Sequence, residues 1–162
     1  MAGEAAGNMK RANINTDDLP LVQTQPGHSW RAAALGPVIG ATGMGATVYE
    51  LPAGQATFPY HYEYGCEEWL LVVRGSVTLR DPDGRSQLGP GDLVCFPEGP
   101  AGAHRIENTG DEPARVMLLS TKQRPAMAVF PDSGKLLVFS GGEGDDLIVR
   151  KSDGVDYWEG EA

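Results

Sequence analysis

The chain has 162 residues, enough for one domain with a real core, and its 22 Gly and 12 Pro together exceed a fifth of them. With 41% apolar residues, that composition reads as many short strands joined by tight turns rather than as disorder. A net charge of −9 argues against nucleic acid or an anionic membrane surface as the main partner, since both select basic patches.

Residues 1–20 are polar and poor in large apolar side chains, which predicts a short, flexible N-terminal arm. The opening MAGEAAGNMKR lacks the apolar core of a signal peptide, and no window approaches a membrane-spanning run, so a cytoplasmic location is expected. Residues 21–45 are ambiguous: Ala32–Leu35 suits a helical turn, but Gly36, Pro37, Gly40, Gly43 and Gly45 break a long helix. From residue 46 the pattern sharpens. Thr47–Leu51 is a predicted strand closed by the turn Pro52-Ala53-Gly54, and Thr57–Tyr64 has the Thr, Phe and Tyr mix of a second. Trp69–Val73 is a continuous apolar run, which predicts a strand covered on both faces. Ser76–Arg80 and Arg85–Leu88 flank Asp81-Pro82-Asp83-Gly84, a hairpin turn. Leu93–Phe96, Ala103–Glu107 and Arg115–Ser120 follow at similar spacing, and Leu136–Phe139 and Asp146–Arg150 complete the series. Evenly spaced short strands without intervening helices imply an all-β sandwich or barrel. Cys66 and Cys95 are too few for a disulfide framework and match no zinc spacing, so two free thiols are expected.

His61 and Glu63 lie one residue apart, so on a strand both side chains share a face. Glu68 follows across a turn at Gly65-Cys66, at the head of the WLLVV strand, and His104 opens a later strand beyond the Pro- and Gly-rich loop 97–102. Two imidazoles and two carboxylates are suitable ligands for a first-row metal if the fold gathers them. Spacing alone does not gather them, and an isolated His-x-Glu on a strand is ordinarily a solvated face.

The stretch GQATFPYHYEYGCEEWLLVVRG, residues 54–75, resembles the first cupin motif, G(x)5HxH(x)3–4E(x)6G, with six residues between Glu68 and Gly75 and four between Glu63 and Glu68. The stretch GDLVCFPEGPAGAHRIEN, residues 91–108, resembles the second, G(x)5PxG(x)2H(x)3N, through Gly91, Pro97, Gly99, His104 and Asn108. The likeness extends over the flanking strands to roughly residues 47–120 and is similar to small single-domain bacterial cupins. It implies an all-β double-stranded β-helix, a jelly-roll barrel, over residues 21–125, with 126–162 as C-terminal strands and tail completing or covering it. It also implies one divalent metal ion on His61, Glu68 and His104, a small-molecule ligand inside the barrel, and a homodimer.

Three positions depart from the motif. Six residues rather than five precede His61 after Gly54, four rather than two lie between Gly99 and His104, and Glu63 replaces the motif's second histidine. The last matters most. Two carboxylates neutralise a divalent cation where one leaves it positive, so bound water is polarised less and harder ions, Mn or Fe before Ni or Zn, are favoured. Glu63 is open to three readings: a fourth metal ligand, a general base beside the metal, or a structural hydrogen-bonding group. Glu67 is expected to face away from Glu68, and Tyr60, Tyr62 and Tyr64 away from the metal. Asn108 is expected to hold a turn, and Tyr157 and Trp158 to cover the mouth or anchor the tail. The leading functional expectation is a metal-dependent enzyme on a small organic molecule, of dioxygenase, lyase or isomerase type. A non-catalytic binding or sensing barrel is the alternative, and a vestigial barrel the third. A sugar-nucleotide epimerase is disfavoured, because such barrels rely on a histidine–tyrosine pair rather than this metal motif.

Overall fold

The computed structural model describes residues 9–142 and 144–161; residues 1–8 of the expected arm lie outside that range. Among the described residues, thirteen strands in antiparallel pairs form three sheets, which gives the all-β jelly-roll barrel. β1 (Leu21–Gln25), β2 (His28–Ala34), β3 (Met44–Leu51), β10 (Ala114–Thr121), β5 (Glu68–Arg74) and β8 (Leu93–Phe96) make the six-stranded sheet, in the order β1-β2-β3-β10-β5-β8. β6 (Val77–Asp81) pairs with both β7 (Gly84–Leu88) and β9 (Arg105–Glu107). A four-stranded sheet joins β4 (Tyr62–Tyr64) to β11 (Ala126–Phe130), β12 (Lys135–Phe139) and β13 (Leu147–Arg150). Among the described residues no helix is long and apolar enough to cross a membrane.

The core follows from period-two alternation. Leu51, Leu70, Val72, Val77, Ile106 and Val116 point inward and are almost fully buried. On the opposite face of β2 and β3, Ala33, Ala46 and Val48 pack under Leu19 and Leu35, so those strands are covered on both sides. Leu35 opens a short α-helix, α1 (Leu35–Ile39), which ends at Gly40 in the left-handed conformation. The segment before β1 is clasped to β10 and β3: the buried Arg115 donates to the Thr16 carbonyl at 2.9 Å and to Glu50 at 2.7 Å. At the same end of β3, Asn108 donates to the carbonyls of Leu51 and Glu112 and accepts from the Gly110 N–H, the turn-holding role expected of it.

Three local expectations change. The WLLVV run is not covered on both faces: Leu70 and Val72 are buried, whereas Trp69 is 38% exposed and donates its indole N–H to Glu67. Ala32–Leu35 is strand up to Ala34, because pairing of β2 with β3 overrides alanine's helical propensity. Thr57–Tyr64 shortens to Tyr62–Tyr64, preceded by single bridges at Ala56 and His61; Pro59, which has no N–H, interrupts the ladder.

Candidate metal centre

His61 and His104 face each other across an isolated antiparallel bridge. The His61 N–H donates to the His104 carbonyl at 3.1 Å, and the reverse bond measures 2.8 Å. Each Nδ1 reaches a carbonyl two residues upstream: His61 to Pro59 at 2.8 Å, His104 to Gly102 at 2.9 Å. A carbonyl only accepts, so each Nδ1 carries the proton and each Nε2 presents a lone pair. Aromatic contacts hold the rings in place. Phe96 stacks on His104 with centroids 3.7 Å apart, and Phe130 stacks on His61 at 5.8 Å.

Glu68 enters from the six-stranded sheet, where it pairs with Phe96 on one side and Ser120 on the other. Its Oε2 lies 3.7 Å from His61 Nε2 and 3.5 Å from His104 Nε2. These spacings are long for a hydrogen bond, and neither Nε2 has a proton to donate. They are close to the roughly 3.0–3.4 Å separating donors that share one ion at about 2.1 Å. Ligand atoms of His61, Glu68 and His104 all lie within 4.8 Å of one another, and both histidines are buried. Donor type, tautomer and spacing therefore fit a divalent metal ion. Electrostatics separate the two histidines. Burial pulls His61 down, but Glu68 and the Pro59 carbonyl outweigh it and raise its pKa above the ordinary 6.5. Burial, reinforced by His61, lowers His104 to about 4.

Glu63 stands outside that 4.8 Å group but lines the same cavity, on β4 opposite Ala128. Burial, and then the nearby Glu68 carboxylate, raise its pKa. Its carbonyl accepts the Gly99 N–H at 2.8 Å, which ties the loop before His104 to the strand after His61. The lengthened loop between Gly99 and His104 contains a 3-10 turn over Pro100–Gly102. Glu67 is exposed, as expected from its alternation with Glu68. None of Tyr60, Tyr62 and Tyr64 lines the cavity. Tyr157 and Trp158 are 83% and 71% exposed and meet each other edge to face, so they neither close the mouth nor anchor the tail.

The cavity measures about 390 Å³. Sequence reasoning missed much of its wall. Tyr49, held in a T-shaped cluster with Trp30 and Phe58, lies near Glu68 and is pushed up to about 12, first by burial and then by that carboxylate. β11 and β12 supply Ala128 and Phe130, then Lys135, Leu137 and Phe139. The last three stand at alternate positions of one strand, a pattern that was readable in the sequence; what was not readable was that this strand closes over the metal site.

No curated protein matches the sequence. Residues 47–120 match the family model described as the cupin domain. Among solved structures, a protein described as a sugar phosphate isomerase from Acidithiobacillus ferrooxidans is 27% identical, with a TM-score of 0.74 over 81% of this chain and 82% of that one. A sugar phosphate isomerase of the cupin superfamily from Silicibacter pomeroyi is 24% identical, with a TM-score of 0.72 over 80% and 82%. A polyketide cyclase from Streptomyces resistomycificus is 21% identical, with a TM-score of 0.57 over 74% and 84%. Strand order, paired motifs and these likenesses agree: residues 47–120 match a cupin domain, set in an all-β barrel similar to those of the cupin superfamily.

Proposed function

We propose that the protein is a metal-dependent enzyme acting on a small organic molecule, with one divalent ion held by His61, Glu68 and His104. The observation that carries this reading is the convergence of two Nε2 lone pairs and one carboxylate oxygen, with both Nδ1 protons fixed on backbone carbonyls. Two histidines and one carboxylate with open positions suit Fe or Mn ahead of Ni or Zn. A bound ion would supply Lewis-acid polarisation of a substrate oxygen. Glu63, beside the triad on the cavity wall, is the base in this reading: its carboxylate takes a proton from the substrate atom facing it. Phe58, Phe130 and Leu118 exclude water around that atom.

Of dioxygenase, lyase and isomerase chemistry, the likeness to the Acidithiobacillus protein described as an isomerase favours proton transfer. Metal-loaded protein incubated in D2O with a panel of small acids and phenols should incorporate solvent deuterium into one of them. Dioxygen uptake in the same panel would move the assignment to an oxygenase. No exchange and no uptake would favour a binding or sensing barrel. We further propose a cytoplasmic homodimer, in keeping with free Cys66 and Cys95 and with the open edge strand β1. A sedimentation mass of one 17.2 kDa chain at micromolar concentration would contradict the dimer.

A further inference from the structure

The chemistry of the cavity wall narrows the ligand. Phe58, Leu118, Phe130, Leu137, Phe139 and Ile148 are the large apolar side chains of the wall. The hydroxyl-bearing Thr47, Tyr49 and Ser120 come from β3 and β10 of the six-stranded sheet, which also carries Glu68. Lys135 is the single lysine or arginine among the described residues of that wall, and no described carboxylate pairs with it. Its Nζ lies 5.5 Å from the centroid of Phe130, whose ring lies 5.8 Å from that of His61, so the ammonium stands within 11.3 Å of the His61 ring. One cation standing no more than 11.3 Å from the His61 ring, in a largely apolar cavity of about 390 Å³, defines a short, singly charged ligand.

We propose that the cavity takes a monocarboxylic acid with an aromatic or branched aliphatic body, its carboxylate on Lys135 and its body against Phe130, Leu137 and Phe139, with the opposite end toward the triad. This assignment rests on the reading of the cavity as the substrate site, but not on the ion being bound. Sugar hydroxyls packed against Phe130, Leu137 and Phe139 would have no partners there, at a cost of about 1–3 kcal/mol each. A dianionic phosphate would meet one ammonium and two carboxylates, Glu63 and Glu68, rather than a cationic clamp. The inferred class therefore differs from the sugar phosphates named for two structurally similar proteins.

Calorimetric titration of phenylacetate, cyclohexanecarboxylate, benzyl alcohol and glucose 6-phosphate tests the assignment, on chelator-treated protein and on protein reloaded with Mn. Phenylacetate and cyclohexanecarboxylate should bind one per chain, at least tenfold tighter than benzyl alcohol, with glucose 6-phosphate silent. Lys135→Met should weaken both acids at least tenfold and leave benzyl alcohol unchanged, while Lys135→Arg should restore them; thermal unfolding verifies that both variants fold. Acid binding that depends on Lys135 in chelator-treated protein supports the assignment even if no metal is found, in which case only the metal reading falls. Acid binding that requires Mn and ignores Lys135→Met would place the carboxylate on the ion and overturn the assignment while leaving the metal reading intact. Tighter binding of glucose 6-phosphate than of either acid would overturn it outright.

Discussion

Glu63 occupies the position where the sequence departs from the family's three-histidine pattern, and its place on the cavity wall outside the His61, Glu68 and His104 group fits a base better than a ligand. Glu63→Gln should keep its metal and lose about 10²–10⁴-fold in turnover, because an amide cannot accept the proton. Loss of metal from that variant would make Glu63 a ligand, and unchanged metal and turnover would make it structural. The cysteines give a prediction in pH. Burial, then hydrogen bonding and charge from Glu63, push the Cys66 thiol up to about 12, and a raised thiol pKa keeps the inert protonated form at higher pH. At pH 8 its thiolate fraction is about one in ten thousand, against about a quarter for an ordinary thiol. Iodoacetamide at pH 8 should therefore label exposed Cys95 well before buried Cys66, and unfolding should release the second site. Equal labelling of both in the native protein would contradict this. The histidine and glutamate identities were legible from motif spacing. Which imidazole nitrogen faces the site was not, because that depends on the Pro59 and Gly102 carbonyls, and backbone atoms leave no mark in a sequence.

At the scale of elements, the strands from β3 to β10, and β12 and β13 after them, were legible because side-chain pattern and Pro/Gly turns mark them independently of the rest of the fold. β1 was not: LVQTQ is exposed along its whole length and carries no inward face, so only its pairing with β2 makes it a strand. β11 was missed for a related reason, since the short AMAVF is defined by its partners, β4 and β12. The lengthened loop before His104 was seen as extra residues, but its geometry is a tertiary matter. A Cβ on Gly102 would come within 1.8 Å of the Pro97 carbonyl oxygen, so the 3-10 turn closes only with glycine there. Gly102→Ala should cost about 1–3 kcal/mol through overpacking. By displacing the carbonyl that orients His104, it should also weaken metal binding about 10–100-fold. Gly89→Ala, where an added Cβ meets nothing within 4 Å, is the control and should change neither. Denaturant unfolding and metal competition read the two effects separately.

Across the whole molecule, the barrel brings ligands from distant stretches of chain to one point: His61 and His104 through a single bridge, Glu68 from the opposing sheet. The C-terminal sheet then roofs the point with Phe130, Leu137 and Phe139, so residues 126–139 belong to the site as much as the two motifs do. The central claim, that the point is a metal centre, is tested most directly by elemental analysis of protein purified without chelator, beside His104→Ala and Glu67→Ala. The account predicts about one divalent ion per chain in the wild type and in Glu67→Ala, and a substoichiometric trace in His104→Ala. A folded wild-type protein that takes up no divalent ion on reloading, or a His104→Ala variant that holds as much metal as the wild type, would contradict it.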